Sequence, residues 1–197
     1  MSESSRYRVH PGPDADTLRF LDRQRFETVV VPTADQPTPV GDLQAGYLVE
    51  ATLDFSTVEP TVESLSVVRP TLYAYADAID PVFEVAEELW ADAQITGEGM
   101  NSQVTRNTDG EVNGVCYVFA EDELGSRFGE FFDGARPLEP LVDRLNETDD
   151  TAAREVFVLR PPDEQFVIVV IAREKGGQFA DTLRDTYDLP APAEPLV

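Results

Sequence analysis

The chain holds a single cysteine, a single histidine and a single lysine, and each scarcity closes off a chemistry. One cysteine cannot form an internal disulfide. One Cys and one His are too few for a structural zinc site built from those ligands, so no metal is expected. Any Ser-His or Cys-His pair must use His10, and no G-x-S-x-G turn supplies a serine nucleophile. Neither G-x-G-x-x-G nor G-x-x-x-x-G-K-[ST] occurs, so no cofactor is implied. Cys116 lies in an apolar stretch and reads as an inert buried thiol. The longest purely apolar run, residues 166–172, falls far short of the roughly twenty residues of a membrane span. The first twenty residues lack a basic start followed by an apolar core, so no signal peptide is expected. The expectation is a soluble, cytoplasmic protein.

What replaces lysine is arginine, fourteen of it, and far more acid than either. Thirty-eight acidic residues face fifteen basic ones, for a net charge of −23 and a pI near 4.1. The hydrophobic fraction of 42% is that of a folded chain, so the acidity is not a sign of disorder. Such a surface repels itself in dilute buffer, and molar salt, with a Debye length of about 3 Å, removes most of that repulsion. Two readings compete: a mimic of nucleic acid that binds basic partners, or adaptation to a cytoplasm of molar salt. The acids are dispersed along the whole chain instead of gathered in a tail, which favours salt adaptation. Net charge therefore does not exclude nucleic acid as a partner.

A length of 197 residues suits one large domain or two small ones. Residues 1–70 read as five short strands with turn signals, the pattern of a small OB-like β-barrel. An SH3-like barrel or a plain meander accounts for the same strands. Within them Tyr47, Val49, Ala51, Leu53 and Phe55 share one strand face. After Pro70 the spacing of Leu72, Tyr75, Ile79, Val82, Phe83, Ala86 and Leu89 predicts helix, with Asp80 as N-cap and Pro81 at N1. A hairpin follows around Asp109-Gly110, read as a type I′ turn, with Asn113-Gly114 as a bulge. On its second strand Val115, Tyr117 and Phe119 oppose Cys116 and Val118. Leu124, Phe128, Phe131 and Phe132 form a helical stripe. The acidic link 146–152 leads to two strands, and the run 166–172 predicts a strand buried on both faces. A last helix spans about 177–187. The fold class is α+β: an OB-like barrel over 1–70, then antiparallel hairpins covered by helices over 71–189. Residues 190–197 read as a flexible proline-rich tail.

Two sets of residues are candidates for binding. Lys175 precedes Gly176 and Gly177, between a buried strand and a helix start, where free backbone N–H groups can hold an anion. Arg173 adds charge, and the loop carrying Asn101 and Ser102 offers polar side chains. The competing reading is a solvated turn with permissive glycines. The second set is Arg6, Arg8, Arg19, Arg23 and Arg25, a local basic excess suited to nucleic-acid backbone. Its competing reading is pairing with nearby Asp14, Asp16, Asp22 and Glu27. His10 reads as a surface strand histidine. Asp109, Glu111 and Asn113 imitate the start of a calcium loop, but Ala120 stands where the twelfth-position glutamate belongs.

The stretches GMNSQVTRNTDGEVNGVCYVFAED and REVFVLRPPDEQFVIVVIAREKGGQFADTLRDTY resemble an uncharacterised protein family of extremely halophilic archaea. The likeness runs over most of the chain from the strand pair at Gly46 to Val68. It implies a halophilic cytoplasm and carries no site residue. No catalytic residue is assigned, and the function is open. The leading reading is a non-enzymatic binding or regulatory protein contacting nucleic acid through the barrel. The alternatives are an enzyme or binder of an anionic, phosphate- or carboxylate-bearing small molecule near Lys175, and a subunit-interaction protein built on the Phe-rich stripe at 128–132.

Overall fold

In the computed structural model, residues 1–122, 124, 127–147, 153–162 and 165–193 are described. Most of the acidic link (148–152), residues 163–164 of the following turn and the last four tail residues lie outside them. Two five-stranded sheets organise the chain. The first is antiparallel and runs β3 (Thr28–Pro32), β2 (Thr17–Asp22), β1 (Ser2–Pro11), β4 (Leu48–Asp54), β5 (Thr61–Arg69). The second runs β6 (Leu72–Asp77), β9 (Glu155–Arg160), β10 (Phe166–Ala172), β8 (Val112–Ala120), β7 (Met100–Arg106). Its β6–β9 pair is parallel and the rest are antiparallel. The fold is α+β.

The first sheet is open, which departs from the OB-like barrel expected of residues 1–70. β1 sits centrally, with a hairpin on each side, so β3 and β5 are opposite edges instead of neighbours. β3 ends after five residues in Pro32, which lacks an N–H to extend the ladder. β5 shifts register at both ends of its pairing with β4. The first shift, where Leu53 meets Val62 and Thr52 meets Ser64, leaves Glu63 as an extra residue. It brings Leu65 and Val67, which strict alternation along the strand would place opposite Val62, onto the same apolar face as Val62. That face, with Tyr7, Val9, Phe20, Tyr47, Val49 and Leu53, forms one core.

The second sheet is covered on both faces. Helices α1 (Glu84–Thr96) and α4 (Gln178–Thr186) pack on the face of Cys116, Val118, Phe157 and Ile168. Helices α2 (Arg127–Asp133) and α3 (Glu139–Asn146) cover Tyr117, Val156, Val158 and Val169 on the other. All seven residues of β10 are buried, as an unbroken apolar run bounded by two helical layers must be. The β8 alternation holds: Cys116 and Val118 on one core, Val115, Tyr117 and Phe119 on the other. The expected bulge is present, because Thr105 pairs with Gly114 and Arg106 with Val112, leaving Asn113 unpaired on β8. The hairpin turn is not type I′. Gly110 is left-handed at φ +82°, Asp109 is not, and Gly110 N–H returns to the Asn107 carbonyl at 3.0 Å. That is a type I turn closed by a left-handed glycine.

Residues 72–83 are a correction. Residues 72–77 form strand β6 and the helix begins only at Glu84. Tyr73, Tyr75 and Asp77 alternate with Leu72, Ala74 and Ala76, a period of two hidden within spacings that also fit a helix. The N-cap is Phe83, not Asp80. Leu124, expected in the Phe-rich stripe, is exposed, while Phe131 is buried.

The sheets meet through α3 and the end of β1. Arg8, fully buried, donates Nε and Nη2 to the two carboxylate oxygens of Glu139 at 2.7 and 2.9 Å, and Nη1 to the Gly46 carbonyl at 2.8 Å. Arg23 reaches Glu139 at 3.1 Å and also pairs with Asp143. Gly46, at φ +96°, admits the β5–β6 connection so closely that a Cβ there would sit 2.4 Å from the Tyr73 amide nitrogen. Removing one partner of a buried ion pair leaves the other charge uncompensated. Glu139→Met is expected to cost about 3–5 kcal/mol in denaturant unfolding. The Arg8→Met/Glu139→Met double variant should lose clearly less than the two single losses summed; simple additivity would show that the pair is not coupled.

Candidate functional site

The best-equipped depression lies where the β7–β8 hairpin faces the start of α4, a groove of about 590 Å³. The bulge at Asn113 builds one wall: its carbonyl accepts the Arg173 N–H at 2.9 Å, and its Oδ1 accepts the Thr105 hydroxyl at 2.7 Å. Gly114 makes the approach of α4 possible. A Cβ there would stand 2.5 Å from the Ile171 carbonyl oxygen and 2.9 Å from the Phe179 ring. Arg106, Arg173, Glu111 and Glu174 line the groove, so its four charges sum to zero within a chain of −23. Arg106 donates Nη1 to the Gly110 carbonyl at 2.8 Å. Arg173 is exposed, and its guanidinium has no partner among the described residues. No His, Cys or Lys lines the groove. It offers a guanidinium fork for an anion and carboxylates and amides for hydroxyl or amine donors.

Of the first candidate set, the structure brings Arg173 and Gly177 into this groove and sends the others elsewhere. Lys175 donates Nζ to the Pro70 carbonyl at 2.8 Å and stands 5.5 Å from the Tyr47 ring centroid. Partial burial lowers its pKa. It clamps the connection between the two sheets. Gly176, left-handed at φ +68°, donates its N–H to Glu155 Oε2 at 3.3 Å. Glu155 is buried against Arg184. Asn101 gives its amide to the Leu89 carbonyl at 3.2 Å and accepts the Ser102 N–H at 2.8 Å. Both sit at the opposite end of β7 from Arg106.

The five N-terminal arginines are all engaged. Besides Arg8 and Arg23, Arg6 pairs with Glu50 at 3.5 Å, Arg25 pairs with Glu3, and Arg19 donates to the Pro11 carbonyl at 2.8 Å. None of Asp14, Asp16, Asp22 and Glu27 supplies them an ion pair among the described residues. Arg106, which stands with Asn101, Ser102 and Thr105 in the sequence as a possible pocket residue, does line the groove, whereas Glu139 was missed as a buried anchor. Glu139 did carry a signal, since it shares helical spacing with Val142 and Asn146, both buried.

His10 is not on the surface. It is fully buried between the sheets. Its ring meets the edge of Tyr73 at 5.6 Å, and a Cβ on Gly134 would stand 3.2 Å from it. The Tyr75 hydroxyl lies 3.5 Å from Nδ1, long for a hydrogen bond. Burial, with Arg8 adding to it and Glu139 opposing, pushes the His10 pKa down to about 4. For Glu139, burial alone raises the pKa, but the charge and hydrogen bonds of Arg8, with Arg23, hold the carboxyl below its ordinary value. Burial also raises the Tyr73 hydroxyl well above its usual range. With no exposure, this cluster is a structural seam.

Fold and groove together define an α+β protein with two open five-stranded sheets and a charge-balanced groove at the hairpin end of the second. The chain belongs to DUF6663, a family of unknown function whose sequence model matches residues 1–193. No curated protein and no solved structure matches it. Among the described residues no helix is long and apolar enough to cross a membrane.

The seam has a pH signature. His10 takes up its proton near 6.5 in the unfolded chain and near 4 in the folded one. Between those values the unfolded state binds the extra proton, so stability is complete above 6.5 and falls as the pH drops towards 4. At about 1.4 kcal/mol per pH unit the loss is about 3 kcal/mol. Unfolding measured across this window should show His10→Leu flattening the slope by close to one proton; an unchanged slope would mean that His10 is protonated freely in the folded state.

Proposed function

We propose that this is a non-enzymatic binding protein holding an anionic, phosphate- or carboxylate-bearing small molecule in the groove beside Arg173. The observation that carries the reading is the unpartnered Arg173 guanidinium in a groove of about 590 Å³. Glu111 and Glu174 beside it disfavour a polyanion and favour a ligand that also offers hydroxyl or amine donors. In this reading residues 1–70 and 71–189 are two modules joined by the Arg8–Glu139 seam, and 190–197 is a tail. The acidic surface is adaptation to a halophilic cytoplasm. Oligonucleotide binding by an OB-like N-terminal module is the weaker reading, because its five arginines are already engaged.

The test is purification from molar potassium chloride, with small molecules released by denaturation and identified by mass spectrometry. Wild type should yield a phosphate- or carboxylate-bearing molecule that Arg173→Glu loses. Lys175→Met, where it folds, should retain the molecule. Equal recovery from wild type and Arg173→Glu removes the groove from the reading. An empty wild-type protein that also gives no heat with inorganic phosphate sinks it.

A further inference from the structure

Two five-stranded sheets present four edge strands, and three of these are protected. β3 is short and ends in proline. β5 is interrupted by two register shifts. β6 donates its Tyr73 N–H to the Ala45 carbonyl at 2.9 Å, and Gln44 and residues 189–192 line the cavity along it. These are the devices that keep an edge from recruiting another strand. β7 has none of them. It is seven residues long, and only Thr105 is buried outright. The bulge in its ladder lies on β8, so β7 itself is regular. Met100 and Val104 are 46% and 45% exposed. They lie opposite Phe119 and Val115, on the face that α2 and α3 cover further in.

The phase of the ladder leaves the right groups free. The Ala120 N–H bonds to the Gly99 carbonyl at 2.9 Å, so the odd residues of β7 exchange hydrogen bonds with β8. The even residues Met100, Ser102 and Val104 point N–H and C=O outward. Among the described residues only the Ser102 N–H has a substitute partner, the Asn101 side-chain oxygen. Charge agrees as well. Residues 99–108 contain no carboxylate in a chain with thirty-eight.

We propose that β7 pairs antiparallel with β7 of a second copy about a two-fold axis at Ser102, joining the two second sheets into one. This register places Met100 opposite Val104 of the second copy and Glu98 opposite its Arg106, each twice by symmetry. A one-step shift centred on Gln103 would set Met100 against Arg106 and leave Glu98 facing Thr108, losing both matches. A strand slipped to odd-on-even pairing would have no outward hydrogen bonds to exchange. The contact is isologous, so it closes at two copies. One strand pair makes a small interface, and two chains of −23 repel. Association is therefore strengthened by salt. Arg106 also lines the groove, but the backbone pairing and the Met100–Val104 contacts do not depend on the groove's ligand.

Light scattering during gel filtration, over a concentration series in dilute and in molar potassium chloride, tests this. The mass should rise from 21.8 kDa to twice that value, at lower protein concentration in molar salt. Val104→Lys, at an exposed position, should hold the mass at 21.8 kDa with an unchanged melting curve. Arg106→Glu should shift the midpoint at least tenfold towards higher concentration, and Glu98→Arg/Arg106→Glu should restore it. Arg173→Glu should leave the mass unchanged. A chain that stays monomeric in both salts overturns the proposal, as does a dimer that ignores Val104→Lys. Failure of the charge-swapped double variant to recover overturns the register.

Discussion

The fold depends on one buried carboxylate. Glu139, on the helical layer of the second sheet, receives Arg8 from the central strand of the first and Arg23 from just beyond its neighbour. Two guanidinium groups on one carboxylate leave an excess positive charge, and Asp143, one helical turn on, answers it through Arg23. His10 completes the constraint. It is two residues from Arg8 on the same strand face, and a second cation there would face the first across a dry seam. Burial and Arg8 both hold it neutral. The seam is thus an orientation device: a bidentate fork accepts few angles, while the apolar contacts around it accept many.

This matters more in an acidic chain than in an ordinary one. Repulsion among the exposed carboxylates of a chain with thirty-eight acidic residues varies steeply with ionic strength. A buried pair is screened far less by salt. The seam therefore keeps one geometry across conditions in which the surface energy changes greatly. Lys175 follows the same logic more weakly. Its ammonium spans from the β10–α4 turn to the Pro70 carbonyl, where the chain passes from one sheet to the other.

What was legible in the sequence is what local periodicity determines. The β10 run, the alternation along β8 and β4, and the Asn113 bulge follow from side-chain patterns within ten residues. What was hidden depends on partners far away in sequence. Arg8 and Glu139 are 131 residues apart, so nothing near Arg8 announces that it is buried, and proximity suggested the wrong acids. The stretch 72–83 failed for another reason. Ala and Tyr at alternate places satisfy both periods, and pairing with β9 decided the matter. The faces of β5 are hidden because an extra residue reverses them, which alternation counted without register cannot detect. Lys175 and Arg173 show the limit for sites. Two residues apart on a turn, they serve different neighbours, Arg173 the β7–β8 hairpin and Lys175 the Pro70 connection, and the rarer side chain is the structural one.

In a field this negative, a place that carries no net negative charge is where an anion or another copy can approach. The two such places share the end of β7. The groove balances two arginines against two glutamates, and the strand beside it carries no acid between Glu98 and Asp109. Both owe their form to the same hairpin. Its bulge turns Asn113 towards Thr105 and brings Arg173 to the groove wall, while keeping the irregularity on β8 so that β7 stays straight. Arg106 belongs to both, tied to the Gly110 carbonyl by one nitrogen with its remaining donors free to face a ligand or a neighbour. A single change in that hairpin, at Gly110 in the turn or Asn113 in the bulge, would alter groove and edge together, which makes the hairpin the shared support of the proposed site and the proposed contact between copies.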